Sequence, residues 1–495
     1  MIRRIRKWVG IMMLALLTFL FLDVSGVARP LHVLAHIQLL PAFMAGMFSI
    51  VAVILLGTFV FGRVYCSVVC PLGLLQDLFA HLGLRAKRRR YSYSREKRVL
   101  RLSVLVVFIV CMVMGMGSAV ALLAPYSSFG RIVHGLFQPL YVLLNNLLSR
   151  LDEAAGGYNV PMVNFVVPSM AVMVIAGLTL VVVGFLAWRN GRTYCNTICP
   201  VGTILGYVAK FSLFAPTIDT SKCGGCKLCE KNCKAACINI KPKGQTPEVD
   251  KSRCVTCFNC IDYCKNGAIS YKRRRLKPQQ PDTQQPSADA GKRAFITSIG
   301  VLAASAATAQ HEKLVDGGLT ILEKKTPPRR TTPVVPPGSR SLRNFTQRCT
   351  GCQLCVSKCP NGVLRPSTGL ATLMQPQMSF ENGYCRPDCN MCSNICPAGA
   401  IRPISIDLKV STQIGHAVWV ADRCVVNTDD VSCGNCARHC PNGAISMIKS
   451  PQNPNRRIPA VNEERCIGCG ACEYVCPARP LSAIYVEGHE NHKEV

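Results

Sequence analysis

Cys349-Thr350-Gly351-Cys352-Gln353-Leu354-Cys355-Val356-Ser357-Lys358-Cys359-Pro360 carries three cysteines at even spacing, then a fourth just before a proline. Three thiolates so spaced hold three irons of a cubane, and the fourth, turned outward by the proline, ligates a neighbouring cluster. The pattern recurs at Cys466-x2-Cys469-x2-Cys472-x3-Cys476-Pro477. Two similar runs lie at Cys223, Cys226, Cys229, Cys233 and at Cys254, Cys257, Cys260, Cys264. Two stretched ones are Cys385-x3-Cys389-x2-Cys392-x3-Cys396 and Cys424-x8-Cys433-x2-Cys436-x3-Cys440. Twenty-four of the 30 cysteines thus fall into six runs spaced like iron–sulfur ligands, enough for six [4Fe–4S] clusters and one-electron transfer.

Other chemistries fit less well. Paired C-x2-C units also hold zinc, but a closed four-ligand zinc site has no use for the third and fourth cysteines of these runs. Disulfide frameworks belong to small secreted domains, whereas this chain has 495 residues and locally clustered thiols. No C-x-x-C-H occurs, which removes c-type haem.

A formal charge of +30 could suit nucleic acid, but its location argues otherwise. The basic residues collect beside apolar segments: Arg3, Arg4, Arg6 and Lys7; nine Lys/Arg between Arg85 and Arg101; Arg189 and Arg192; and Lys272 to Lys277. This is the positive-inside pattern of a membrane protein, and no nucleic-acid partner is expected. Trp8–Asp23, Leu39–Phe61, Val99–Ala124 and Val163–Trp188 are each read as a span, which needs roughly 20 residues. The first reads as an anchor rather than a cleaved signal, because a second span comes after it. The connections 24–38 and 125–161 carry only Arg29, Arg131 and Arg150 and so face outward. The Arg85–Arg101 loop faces the cytoplasm, with Trp8 and Trp188 at that interface. The expected fold class is an α-helical four-span membrane bundle (residues 1–200) plus α+β two-cluster ferredoxin-type modules.

The bundle contains a repeat. Gly62-Arg63-Val64-Tyr65-Cys66-Ser67-Val68-Val69-Cys70-Pro71-Leu72-Gly73 matches Gly191-Arg192-Thr193-Tyr194-Cys195-Asn196-Thr197-Ile198-Cys199-Pro200-Val201-Gly202. At i, i+4 on a helical turn each pair of thiols would share one face. Cys66, Cys70, Cys195 and Cys199 are therefore candidates for cofactor binding, as an extra cluster or as redox dithiols; the bland alternative is two turns whose cysteines merely pack. Cys111, mid-span, reads as a packing residue. Cys237 competes with Cys233 as a fourth ligand, and Cys233 is preferred because its spacing repeats that of Cys264.

Residues 215–275 have the size of a cytoplasmic two-cluster ferredoxin. Cross-ligation there groups Cys223, Cys226 and Cys229 with Cys264, and Cys254, Cys257 and Cys260 with Cys233. Residues 276–340 read as a linker: Lys277–Ala290 is rich in Pro, Gln and Ser, and a second Pro-rich stretch runs from Thr326 to Pro337. Between them Lys292-Arg293-Ala294-Phe295 opens an apolar stretch, 294–309, that resembles a twin-arginine export signal with lysine in place of the first arginine. Export of the domain beyond it is preferred over a helix loosely packed in a cytoplasmic linker. That last domain, 341–495, carries sixteen cysteines in four runs, enough for four clusters.

On these motifs, residues 1–271 resemble the NapH-type membrane quinol dehydrogenase component, with four spans, two C-x3-C-P motifs and a cytoplasmic two-cluster ferredoxin. Residues 292–495 resemble the NapG/MauM-type four-cluster ferredoxin, so the chain looks like a fusion of the two. The resemblance implies a multi-pass protein of the bacterial inner membrane that takes electrons from quinol. It would relay them through six [4Fe–4S] clusters, or seven if the C-x3-C-P thiols hold one, to a periplasmic cytochrome or reductase, with residues 341–495 periplasmic. His32, His36 and His134, in the outer connections, read as interface residues, one of which could accept a quinol proton.

The resemblance also implies that outer runs pair with each other and inner runs likewise. Cys349, Cys352 and Cys355 would join Cys476, and Cys466, Cys469 and Cys472 would join Cys359. Cys385, Cys389 and Cys392 would join Cys440, and Cys424, Cys433 and Cys436 would join Cys396. Sequential pairing is the alternative. The competing functions are an assembly or regulatory factor for a metalloenzyme, acting through the C-x3-C-P thiols, and a carrier with both modules in the cytoplasm. No catalytic base or substrate pocket stands out in the sequence, so the chain reads as a carrier rather than a complete enzyme.

Overall fold

The computed structural model describes residues 2–23, 26–87, 91–163, 168–240, 247–273, 314–316, 320–451 and 453–494. Most of the expected linker, including Lys277–Ala290 and the signal-like stretch 294–309, lies outside the described residues. The N-terminal half is helical: α1 (Ile2–Leu22), α2 (Leu39–Met44), α3 (Phe48–Phe61), α4 (Tyr65–Val68), α5 (Pro71–Lys87), α6 (Arg98–Val113), α7 (Gly117–Leu123), α8 (Pro125–Ile132), α9 (Gln138–Ala154), α10 (Met170–Asn190), α11 (Thr193–Thr197) and α12 (Pro200–Lys210).

Among the described residues two helices, not four, are long and apolar enough to cross a membrane: α1 and α10, each of 21 residues. The predicted spans Leu39–Phe61 and Val99–Ala124 are each broken in two, between α2 and α3 and between α6 and α7. The breaks contain Gly46 (φ +78°) and Gly115 (φ +75°), left-handed residues of the kind that end helices. Hydropathy averages over a window, so it cannot separate one straight span from two shorter helices folded back at a glycine. The tyrosines of the repeat hold these folded-back segments. Tyr65 Oη accepts from the Leu39 N–H at 3.0 Å and donates to Gln38 Oε1 at 3.0 Å. Tyr194 Oη donates to the Leu123 carbonyl at 3.4 Å. Val53 and Leu56 on α3, Val106 and Val110 on α6, and Val174 and Val181 on α10 are uncovered. An apolar surface of this extent marks a contact with membrane or protein.

The first ferredoxin-type module closes by pairing its ends, β1 (Phe214–Ile218) antiparallel to β4 (Ile269–Arg273), around β2 (Ile238–Asn239) and β3 (Glu248–Val249). It docks where α3 and α10 end: the Tyr271 hydroxyl donates to the Phe61 carbonyl at 2.8 Å, and the Arg192 N–H to the Lys234 carbonyl at 2.7 Å. Arg3, at the start of α1, pairs with Asp262 at 2.9 Å.

The second module docks at the other end of α1, where Lys358 Nζ lies 2.9 Å from Asp23 Oδ2 with both side chains buried. It is built from antiparallel pairs, β5 (Leu364–Pro366) with β6 (Pro376–Met378), β7 (Thr412–Trp419) with β10 (Ile484–Glu494), and β8 (Ile445–Lys449) with β9 (Arg457–Val461). At 1.5 Å per residue α1 holds the two modules about 30 Å apart. The Pro-rich stretch Thr326–Pro337 is part of this module rather than a spacer. Val334 and Val335 are buried, and Arg330 pairs with Glu473 at 2.6 Å. Composition reported its extended backbone; only packing reveals that two valines anchor it.

Candidate metal centres

The four regular runs share a backbone signature. The residues on either side of the second cysteine are left-handed: Gly225 and Lys227 around Cys226, Thr256 and Phe258 around Cys257, Gly351 and Gln353 around Cys352, and Gly468 and Gly470 around Cys469. For Lys227, Thr256, Phe258 and Gln353 this conformation costs on the order of 1–3 kcal/mol each. Alternating handedness turns successive N–H groups into one concavity, the nest that binds anions and iron–sulfur groups. A short helix then carries the third cysteine: Leu228–Lys231, Asn259–Asp262, Leu354–Ser357 or Ala471–Val475. Another left-handed residue stands three places past the fourth cysteine in five runs, at Ala236, Gly267, Gly362, Gly399 and Gly443. Sequence reasoning missed these positions; the recurring glycine after Cys-Pro was the signal available.

Tertiary structure groups the thiols. Cys223, Cys226, Cys229 and Cys264 line one cavity, and Cys254, Cys257 and Cys260 line another with both Cys233 and Cys237. Cys233 and Cys237 lie 3.5 Å apart, Sγ to Sγ, so the fold brings both candidates to that cavity. In the second module Cys349, Cys352 and Cys355 share a cavity with Cys396, and Cys466, Cys469 and Cys472 with Cys440. Burial pushes the Cys392 thiol up, reinforced by Cys385, Cys359 and Cys389 nearby. Cys436 is pushed up to about 11 by burial, with Cys433, Cys476 and Cys424 adding to it.

The outer-with-outer and inner-with-inner grouping is therefore corrected. Cys396, not Cys476, joins Cys349, Cys352 and Cys355, and Cys359 sits with Cys385, Cys389 and Cys392. Cys440 joins Cys466, Cys469 and Cys472, and Cys476 sits with Cys424, Cys433 and Cys436. The reason lies in the cores. Phe345, Phe380 and Ile401 pack with the first two runs, while Ile445, Ile458 and Ile484 pack with the last two, so sequence neighbours become spatial neighbours. The two units touch where the Cys385 N–H donates to the Cys469 carbonyl at 2.9 Å. No three His, Cys, Asp or Glu among the described residues close to the spacing of a single ion. A cubane holds its thiolates farther apart, around a core of iron and sulfide, so these groupings suit it.

The repeat also brings its four cysteines together. Cys66 lies on α4 and Cys195 on α11, while Cys70 and Cys199 immediately precede the prolines that open α5 and α12. Each pair thus spans a short helix and a turn, not one helical face as expected. Cys66, Cys195 and Cys199 are 3% exposed and Cys70 4%. Burial pushes Cys70 and Cys199 up, and the thiols raise one another further: Cys195 and Cys66 act on Cys70, Cys195 and Cys70 on Cys199.

Each half of the repeat reaches into the other. Arg63 Nη2 donates to the Cys195 carbonyl at 3.2 Å, and Arg192 Nη1 to the Cys66 carbonyl at 2.6 Å. Gly73 and Gly202 leave the room for this. A Cβ on Gly73 would lie 2.4 Å from the Cys66 carbonyl oxygen and 2.5 Å from Arg192 Nη1. One on Gly202 would lie 2.3 Å from the Cys195 oxygen and 2.9 Å from Arg63 Nη2. This local twofold relation explains why Gly, Arg, Tyr, Cys and Pro recur in register. Burial alone would raise the Asp77 carboxyl, but Arg192, at 2.6 Å, and Lys234 hold it well below the usual carboxylate range. Gln76 Nε2 donates to Cys195 Sγ at 3.2 Å.

Cys111 is buried on α6, outside these groups. His32 and His36 stack edge-on at 5.6 Å, and buried His134 has Nδ1 at 2.6 Å from Gln138 Oε1.

A family described as a 4Fe-4S binding domain matches residues 43–90, 170–217 and 392–408, the first two each containing one C-x3-C-P motif. A 4Fe-4S dicluster domain matches residues 431–479, and a further 4Fe-4S binding domain residues 345–365. The methylamine utilization ferredoxin-type protein MauM of Methylobacillus flagellatus is 32% identical over 165 residues, 32% of this chain and 70% of that protein. MauM of Methylophilus methylotrophus is 32% identical over 166 residues, 32% of this chain and 72% of the relative. The ferredoxin-type protein NapF of Escherichia coli K12 is 29% identical over 156 residues, 31% of this chain and 86% of that protein. No solved structure matches the chain. The chain is an iron–sulfur, ferredoxin-type electron-transfer protein, and over about a third of its length it belongs to the MauM family of ferredoxin-type proteins.

Proposed function

We propose that this protein is a carrier of the bacterial inner membrane that takes electrons from a quinol and delivers them to a redox protein, a cytochrome or reductase, on the periplasmic side. The observation that carries the reading is the docking of the two modules at opposite ends of α1, an apolar helix about as long as a bilayer core is thick. With the basic N-terminus inside, residues 341–495 lie outside. When bound, the clusters supply one-electron sites along each module.

A cavity of about 520 Å³ between bundle and second module supports the quinol reading, being of small-molecule size. His134, Gln138 and Ser169 line its bundle side, and Cys359, Glu381 and Leu364 its module side. Gln138 Nε2 donates to the Ser357 carbonyl at 3.3 Å, tying the two walls together. His134 and Glu381, the latter paired with Arg365 at 2.7 Å, are titratable groups on the cavity's two walls to which the hydroxyl protons of a quinol could pass. The uncovered Leu143, Leu147 and Leu151 of neighbouring α9 suit its apolar tail. The assembly-factor alternative has less support, because thiols only 3–4% exposed cannot meet a client protein.

The test is reduction of the purified, cluster-loaded chain by a menaquinol analogue, monitored through the bleaching of cluster absorbance. Bleaching is expected, slowed by His134→Ala; a protein that dithionite bleaches and quinol does not would refute the proposal. In intact spheroplasts, protease should reach residues 341–495, and full protection would count against the outward placement.

A further inference from the structure

Arg63 is a buried cation whose surroundings are incomplete. It is 0% exposed, and among the described residues no carboxylate pairs with it. Its donors go to Asn196 Oδ1 at 2.8 Å, to the Ser252 and Cys195 carbonyls at 3.1 and 3.2 Å, and to Cys66 Sγ at 3.8 Å. Its Nε has no hydrogen-bond partner, and neither has Nη2 of Arg192, which is also 0% exposed. A buried charge without a counter-charge is strongly disfavoured, and Asp77 is already shared among Arg192, Lys234 and Arg6, so the site calls for a further anion. An un-ionised thiol carries no charge to supply one.

We infer that Cys66, Cys70, Cys195 and Cys199 together ligate one further [4Fe–4S] cluster, two thiolates from each half of the repeat, with Arg63 and Arg192 as its buried counter-cations. Four thiols lose their protons to solvent and gain four bonds to iron, and the resulting cluster carries a net negative charge that grows by one on each reduction. Gly202 N–H already donates to Cys199 Sγ at 3.3 Å, as Gln76 does to Cys195, so the site offers a thiolate neutral donors as well as cations.

Position gives this centre its role. On one side Arg63 bonds the Ser252 carbonyl, two residues before Cys254 of the first module. On the other, Tyr65 neighbours Cys66, Cys70 and Cys199 and lies within electrostatic reach of Tyr126, which in turn neighbours Cys352 and Cys396 of the second module. The backbones close up there as well: a Cβ on Gly130 would lie 2.2 Å from the Cys352 carbonyl oxygen. The site therefore stands between the modules, and the inference rests on the carrier reading for this role, though not for its existence.

The experiment is iron and sulfide analysis with redox-titrated EPR on the full-length, cluster-loaded protein. The double variant Cys66→Ser/Cys195→Ser should lose about a seventh of the iron and one EPR-active centre, while Cys111→Ser loses neither. Arg63→Gln should keep the iron but lower one centre's midpoint potential, since a lost cation disfavours the reduced cluster, and Arg63→Lys should restore it. Unchanged iron in the double variant overturns the inference, as do Cys66–Cys70 and Cys195–Cys199 disulfides in the isolated protein. If the double variant does not fold, Arg63→Gln decides, and a full set of wild-type potentials overturns it. Quinol reduction without this centre would sink the inference alone; the centre without quinol reduction would sink the carrier reading alone.

Discussion

Lys358 and Asp23 offer the sharpest mechanical test of how the second module is held. Their side chains are 2% and 3% exposed, and Lys358 also donates to the Asp23 carbonyl. Asp23 further accepts the Gly26 N–H at 3.1 Å and the Ala28 N–H at 2.9 Å, which order the turn after α1. Lys358→Met takes away the buried ammonium that pairs with this carboxylate. Removing one partner of such a pair costs about 3–5 kcal/mol, or roughly a hundredfold to several thousandfold in the equilibrium for module opening. Asp23→Asn/Lys358→Met leaves neither charge and should recover much of that loss. Hydrogen exchange in detergent is the assay, read over 23–28 and 342–348. Faster exchange in the single variant and partial rescue in the double one are expected. Equal exchange in all three proteins would refute the assignment of this pair as the clasp.

Local structure supports further expectations. Gly202→Ala should destabilise the bundle by about 1–3 kcal/mol, because its Cβ meets backbone. Gly177→Ala, in open space within α10, should be neutral or stabilising; equal melting shifts for the two would break the argument. Burial, aided by His489, pushes His492 down to about 4, below its unfolded value of roughly 6.5. Between those values the unfolded chain binds a proton that the fold excludes, so stability should fall as pH falls through this window, by up to about 3 kcal/mol. His492→Gln should flatten the slope in urea melts of strand β10, and an unchanged slope would assign it elsewhere. Cys396→Ser should disturb the cluster and hydrogen exchange at residues 349–355, and Cys476→Ser those at 424–436; the reverse pattern would restore the outer-with-outer grouping.

Spacing of cysteines is a local, covalent property, so the six runs, the repeat and the crossed grouping of the first module's thiols, though not the choice between Cys233 and Cys237, were legible in the one-dimensional pattern. Basic residues beside apolar segments likewise announced a helical bundle, in which two described helices are long and apolar enough to cross a membrane. What one dimension could not show was where a chain folds back. Leu39–Phe61 and Val99–Ala124 read as spans because each averages as apolar, yet Gly46 and Gly115 turn them at single residues. The partner of each run in the second module was equally hidden, since it depends on which hydrophobic cores close around which loops. Thr326–Pro337 belonged to that module through two buried valines that composition counted as linker.

The most local chemistry, then, was the sequence's own: four thiols in each run, and two in each half of the repeat. Whether the halves face each other is a property of the folded chain alone, because Arg63 and Arg192 cross between elements more than a hundred residues apart in sequence. Only in three dimensions do Cys66, Cys70, Cys195 and Cys199 share one buried site with two arginines, and only there does a charge appear that an anion must balance.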